Sequence, residues 1–229
     1  MKPLRDWDEL PDFMRTEAVR PYYDILKKHE KELVLKRAFD VVAASILLVV
    51  LAPVMLVVAV LIKLDSPGPV FYRQTRVTQY GKEFRIFKFR TMVNHADTIG
   101  SAVTIRDDAR ITRVGVIIRR YRIDEFPQLF NVLAGDMSFV GTRPEVPKYV
   151  LAYSDEMFAT LLLPSGITSK ASIIYKDENV ILSYSNNIDK SYIEEVLPEK
   201  MYWNLKSISN YGVLSEILIM VRTVLAVLR

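Results

Sequence analysis

The chain has 229 residues, no cysteine and only two histidines, His29 and His95. Half its residues are hydrophobic, a quarter are charged and the formal net charge is +4. That composition describes a folded domain with a core of its own, and it excludes disulfides, thiolate metal sites and zinc sites built on several histidines.

The positive charge is uneven. From Lys63 to Arg143 there are 14 Lys/Arg against 8 Asp/Glu. A basic middle segment calls for an anionic partner: lipid headgroups, nucleic acid or a phosphorylated small molecule. Nucleic acid is disfavoured. Phe84, Phe87 and Phe89 stand among basic residues, but that alternation reads more simply as a half-buried strand.

Residues 1–20 are polar and carry Pro3 and Pro11, which leaves their order open. From Tyr22 to Arg37 the apolar residues Tyr22, Ile25, Leu26 and Leu33 keep helical spacing and lead into an uncharged run, Val41 to Ile62. As a straight helix that run would measure about 33 Å, close to the hydrocarbon thickness of a bilayer. Lysines and arginines flank both ends, which favours the cytoplasmic side for both. Pro53 lies mid-run, where it removes a backbone donor and crowds the carbonyl of Val49, so a kink is expected. On these features alone, a kinked re-entrant helix and a kinked span stay open.

Ser66-Pro67-Gly68-Pro69 is a turn cluster. Val70 to Arg76 and Lys82 to Phe89 read as short strands around Tyr80-Gly81. Residues 93–108 read as a polar loop. Ile111 to Arg122 is a basic amphipathic helix with Ile111, Val114, Ile117, Ile118 and Tyr121 on one face, of the kind that lies in a membrane interface. Val213 to Arg229 is a second amphipathic helix. The predicted fold class is α+β: a mostly helical membrane-associated domain with amphipathic interfacial helices and a small β element. Its parts are an N-terminal extension with a surface helix (1–35), a membrane helix (36–65) and a cytoplasmic domain (66–229).

The densest chemistry lies between residues 119 and 145. Asp124-Glu125 precedes Phe126-Pro127, a pattern that places both carboxylates at the start of a helix ending at Gly135. Helix capping alone would explain the pair. Arg119 and Arg122 lie close by, however, and Gly141-Thr142-Arg143-Pro144 presents a further guanidinium on a flexible turn. A carboxylate among arginines stays ionised and can attack phosphorus, while the cations, with Mg²⁺, neutralise the charge of the phosphate. Adjacent residues on a helix point about 100° apart, so the two carboxylates would do different work.

KRAFD (36–40), the apolar run broken by proline, SPGPVFYRQTRV (66–77), GKEFRIFKFRTM (81–92), RITRVGVIIRRYRIDEFPQLFNVLAGDMSFVGTRPE (110–145) and TVLAVL (223–228) together resemble the bacterial sugar transferases, the monotopic phosphoglycosyl transferases. The resemblance implies a re-entrant helix broken at Ala52-Pro53, anchored at the cytoplasmic face of the bacterial inner membrane among phospholipids. It implies transfer of a phosphosugar from a UDP-sugar to polyprenyl phosphate, with Mg²⁺ and release of UMP. Asp124 would be the nucleophile and lie at the metal, and Glu125 would be its partner in proton handling or acceptor activation. Lys88, Arg90, Arg119 and Arg143 would contact phosphate.

Departures from the family pattern are Arg122-Ile123 before the pair, Thr142 in place of a proline, Ala52 in place of a serine, and the stretch after Leu163, where Ala171-Ser172-Ile173 and the acidic pair Asp177-Glu178 follow another pattern. A non-enzymatic surface protein that binds anionic lipid is the alternative, and whether copies of the chain form a homo-oligomer stays open.

Overall fold

The apolar run forms the middle of one long helix. In the computed structural model, which describes residues 3–96, 108–175 and 187–227, α1 (Arg20–Lys28) stops at His29, and α2 (Glu30–Asp65) follows as 36 helical residues. By length and apolar composition α2 suffices to cross a membrane. Pro53 lies inside it, and the helix continues on both sides. Ala52 and Pro53, where the sequence predicts a kink, thus lie within one continuous helix. The missing N–H removes one hydrogen bond, a loss that the turns on either side outlast.

At 1.5 Å per residue α2 is about 54 Å long. Leu33, Asp40, Ala44, Met55, Val58 and Ile62 are its buried residues, and their spacing puts them on one face. Val42, Ile46, Val49, Val50, Leu56 and Val57 are exposed on the rest. Leu33 on that face joins the largest core, and the rest of its apolar residues belong to two small ones. Ala44 packs with Phe84, Ile86, Leu129, Val132 and Met137, and Met55, Val58 and Ile62 pack with Phe89 and Ile118. Burying each large aliphatic side chain contributes about 1.5–3 kcal/mol.

β1 (Phe71–Val77) and β2 (Glu83–Phe89) pair antiparallel, with Phe71 opposite Phe89 and Val77 opposite Glu83. Phe84 and Phe89 are buried, so they offer no stacking platform. α3 (Arg113–Arg120) is capped by the Thr112 side chain, which accepts from the Gly115 N–H. Asp65, the last residue of α2, takes the Val114 N–H at 3.0 Å, which ties the end of one helix to the start of the other. The expected apolar face of α3 divides: Ile118 is buried against α2, whereas Ile117 and Tyr121 are exposed.

α4 (Gln128–Ala134) ends where the sequence places it. Gly135 adopts φ 88°, and its N–H reaches the carbonyls of Asn131 and Val132. The charged residues of KRAFD grip this unit. Arg37 donates to the carbonyls of Val132 and Leu133 at 2.7 and 3.1 Å, and Lys36 donates to that of Val140 at 3.0 Å. Asp40 accepts the Phe139 N–H at 3.4 Å.

β3 (Met137–Val140) is followed by α5 (Pro147–Val150) and by β4 (Ser165–Thr168), which runs parallel to β3. The backbones of Gly141 and the Pro164–Gly166 stretch pass so closely that a Cβ on Gly141 would stand 2.6 Å from the Pro164 carbonyl oxygen. Then come α6 (Lys170–Ile174), α7 (Ile188–Ser191), α8 (Leu197–Ser209) and α9 (Val213–Val227). Glu216 of α9 pairs with Lys36 at 2.8 Å.

The N-terminal stretch is no loose extension. Leu4, Leu10, Met14, Val19 and Leu26 are buried in the largest core with Tyr149, Tyr192, Met201 and Leu205. The architecture is mostly helical with two small sheets, in keeping with α+β. Most of the expected 93–108 loop, the Asp177-Glu178 pair and Leu228 lie outside the described residues.

Candidate active site

Four elements bring their charged side chains to one place. Lys88 comes from β2, Arg119 from the last turn of α3, Asp124 and Glu125 from a 3-10 turn (Ile123–Glu125), and Arg143 from the loop after β3. The turn is one step earlier than the helix start expected from the sequence, because α4 begins only at Gln128. The chain enters it through Arg122 at φ 55°, a left-handed conformation that a side chain with a Cβ adopts at a cost of about 1–2 kcal/mol. Such local strain recurs where a site dictates the backbone.

Both carboxylates are buried, yet their surroundings differ. Glu125 is held in a fork: Arg143 Nη2 donates to Oε1 at 2.6 Å and Nη1 to Oε2 at 3.4 Å. Lys88 Nζ lies 3.6 Å and Arg122 Nη1 3.7 Å from the same Oε1. Burial alone would raise the Glu125 pKa, but the charges of Arg143, Lys88 and Arg122 outweigh it and hold the carboxyl below its usual range.

Asp124 has no hydrogen bond to its carboxylate among the described residues, and its ion-pair partner there is Lys88 at 4.0 Å. Burial raises its pKa, the pull of Lys88 opposes, and the negative charge of Glu125 adds to the rise, so Asp124 lies above the ordinary carboxylate value. Two neighbouring acids pushed apart in this way take different chemical parts. Burial also lowers the Lys88 pKa, to about 8.

Arg119 lies within electrostatic reach of Asp124, with its Nη1 3.5 Å from Thr91 Oγ1. Arg90 is not brought to the cluster. Its buried guanidinium donates to the carbonyls of Pro67, Ser66 and Ile62 at 2.5, 2.7 and 3.4 Å, which satisfies the open C-terminal end of α2. The sequence reads Arg90 as a phosphate contact, and the structure uses it as a clamp on the end of α2.

The loop that carries Arg143 is pinned rather than flexible. Gly166 N–H donates to the Thr142 carbonyl at 2.9 Å, Val77 N–H to that of Glu145 at 3.0 Å, and Arg76 Nη1 to that of Pro144 at 3.0 Å. Glu145 itself is buried. It accepts from Tyr192 Oη at 2.5 Å and from Lys200 Nζ at 3.4 Å, and Lys200 also donates to Tyr192 Oη at 2.8 Å. Arg76, Glu145, Tyr192 and Lys200 escape a sequence reading. The strand register would have shown Arg76 on the same face as Lys88, but nothing in sequence pairs residue 145 with residue 200.

Known proteins share this arrangement of sequence. A family model described as "Bacterial sugar transferase" matches residues 31–229. A protein of Aeromonas hydrophila named UDP-N-acetylgalactosamine-undecaprenyl-phosphate N-acetylgalactosaminephosphotransferase is 37% identical over 198 residues, 85% of this chain and 44% of its own length. The exopolysaccharide production protein PSS of Rhizobium leguminosarum bv. phaseoli is 54% identical over 113 residues, 49% of this chain and 56% of its own. A UDP-glucose:undecaprenyl-phosphate glucose-1-phosphate transferase of Caulobacter vibrioides is 46% identical over 141 residues, 60% of this chain and 53% of its own. The chain thus spans about half the length of these relatives.

Proposed function

This chain belongs to the bacterial sugar transferase family, and on that premise we propose that it transfers a phosphosugar from a UDP-sugar to a polyprenyl phosphate, with release of UMP. The relatives' names support the donor and acceptor classes, and they differ in the sugar. The observation that carries the reading is the inequality of the two buried carboxylates: Glu125 is saturated by cations and Asp124 is not. A protein that merely bound anionic lipid would have no use for a desolvated carboxylate that no hydrogen bond from the described residues satisfies.

In the first step an Asp124 carboxylate oxygen attacks the sugar-bearing phosphorus. A bond from that oxygen to phosphorus forms, the bond from phosphorus to the bridging oxygen breaks, and UMP departs with the electron pair. In the second step a phosphate oxygen of the polyprenyl phosphate attacks the same phosphorus and Asp124 leaves as a carboxylate. Arg143, Lys88 and Arg119 face the phosphoryl charge throughout. Glu125 holds Arg143 in place, and as a carboxyl kept ionised it is poorly suited to carry a proton.

No cluster of three or more acidic or histidine side chains that could hold a metal occurs among the described residues. The donor set still fits Mg²⁺, which binds through one or two carboxylates together with substrate phosphates, and Asp124 is the carboxylate with coordination to spare. Bound there, Mg²⁺ would neutralise phosphate charge.

The pKa shifts give the pH dependence. Asp124 attacks only when ionised, so the rate falls as pH drops through its raised pKa. Lys88 assists only when charged, so the rate falls as pH rises through about 8. Single-turnover UMP release, measured against pH without acceptor, should be bell-shaped. In Lys88→Arg the alkaline limb should vanish, because a guanidinium stays charged across this range. An unchanged alkaline limb in that variant would remove Lys88 from the mechanism.

We also propose that α2 enters the membrane without crossing it, at the cytoplasmic face. The basic residues at both ends of its apolar run support this, as does the folded body packed against α2 from Leu33 to Ile62. A spanning α2 would carry the hairpin, with Arg73 and Arg85, into hydrocarbon. Glu30→Cys and Ser66→Cys, each in this cysteine-free chain, should react with an impermeant thiol reagent from the same side. Labelling from opposite sides would show a span.

A further inference from the structure

Gln128 opens α4, three residues after Glu125. It is 1% exposed, and its Nε2 has no hydrogen-bond partner among the described residues. Folded proteins seldom leave a buried amide donor unmet, and where they do the group commonly awaits something. Helical side chains lean toward the N-terminus and lie over the preceding turn, which here is the dyad's own.

Contacts on either side bracket the position. Three residues further on, Asn131 accepts the Phe87 N–H at 2.8 Å and donates to the Arg85 carbonyl at 3.1 Å. On the other side, Asp124 and Glu125 meet Lys88, the residue after Phe87. These contacts set the start of α4 beside β2 and next to the two carboxylates, and Gln128 is the buried residue at that junction.

A buried N–H there needs an acceptor oxygen. Of the neighbouring cations, Arg143 and Arg122 are turned to Glu125 and Lys88 lies between the two carboxylates, and the oxygens that the transfer reaction brings beside Asp124 are phosphoryl oxygens. A neutral amide suits this place. A lysine or arginine would pair with Asp124 and depress the pKa that makes it a nucleophile, whereas an amide can donate to phosphate and leave the carboxylate free.

We infer that Gln128 is a further substrate contact, its Nε2 donating to a non-bridging oxygen of the phosphosugar phosphate at Asp124. This rests on the transfer reaction proposed above.

The test uses the full chain in lipid nanodiscs, with the melting temperature measured without nucleotide and UMP release measured from a panel of UDP-sugars. Gln128→Met keeps the shape and removes the unmet donor. It should melt at or above the wild-type temperature, while kcat/KM falls about 10- to 100-fold, the value of a hydrogen bond to a charged group. Wild-type kcat/KM in Gln128→Met, whatever its melting temperature, overturns the assignment.

Should melting temperature and kcat/KM fall together, Gln128→Glu decides. It keeps the size and sets a carboxylate against phosphate. Loss of activity at an unchanged melting temperature supports the contact, and retained activity overturns it. Absence of UMP release by the wild-type chain would overturn the transfer reaction, and the assignment with it. Wild-type turnover beside an unimpaired Gln128→Met overturns the assignment alone.

Discussion

Asp124→Asn should lower UMP release from a UDP-sugar at least about a thousandfold, the scale on which loss of a nucleophile is felt. The amide has the shape of the carboxylate, so the fork between Arg143 and Glu125 stays in place. It cannot, however, attack phosphorus with comparable strength or carry the phosphosugar. The melting temperature should hold or rise, because the substitution removes a desolvated charge. Intact-mass measurement after mixing with donor should show a phosphosugar adduct on the wild-type chain and none on the variant. Glu125→Gln should be milder, about 10- to 100-fold, since it loosens Arg143 without removing the attacking atom. If Asp124→Asn turns over at more than a few per cent of wild type, the covalent route is wrong and direct transfer takes its place.

Lys200→Met should cost about 3–5 kcal/mol of stability, the penalty for leaving one partner of a buried ion pair without the other. Lys200 and Glu145 are each about 5% exposed and share Tyr192 as a hydrogen-bond partner. Burial would push the Glu145 carboxyl up, but Lys200 and then Arg76 hold it below its usual range. Without Lys200 the carboxylate must take up a proton or draw in water, and the loop that carries Arg143 two residues earlier loses an anchor. The melting temperature should fall by about 6–20 °C. Activity at a temperature where both proteins are folded should also fall. The double variant Glu145→Leu/Lys200→Met should recover most of the stability, because an apolar pair replaces the ion pair. Equal melting temperatures for the wild type and Lys200→Met would mean that the pair contributes nothing.

What the sequence revealed and what it hid follow from the range of the interactions. The hairpin, the end of α4 at Gly135 and the apolar helix are written in neighbouring residues, through alternation, a left-handed glycine and an uncharged run. Asp124, Glu125, Lys88 and Arg143 were legible as a group, since strong motifs marked them. The employment of a charge was not. Arg90 and Arg143 are alike in sequence, yet one closes the end of a helix and the other grips a carboxylate. The buried N-terminal residues Leu4, Leu10, Met14 and Val19 follow no single period, because their partners come from distant turns and helices. The parallel pair of β3 and β4 joins two four-residue strands across a long connection, too short on each side to leave a pattern.

The face of α2 that the body covers bears on how the protein is made. Ala44, Met55, Val58 and Ile62 leave the ribosome well before residues 118–137, which pack on them. Leu4 and Met14 wait longer still for Met201 and Leu205. The two small cores can therefore close once residue 137 has been made, whereas the largest core waits for nearly the whole chain; on the membrane placement proposed above, the bilayer would shelter the apolar helix meanwhile.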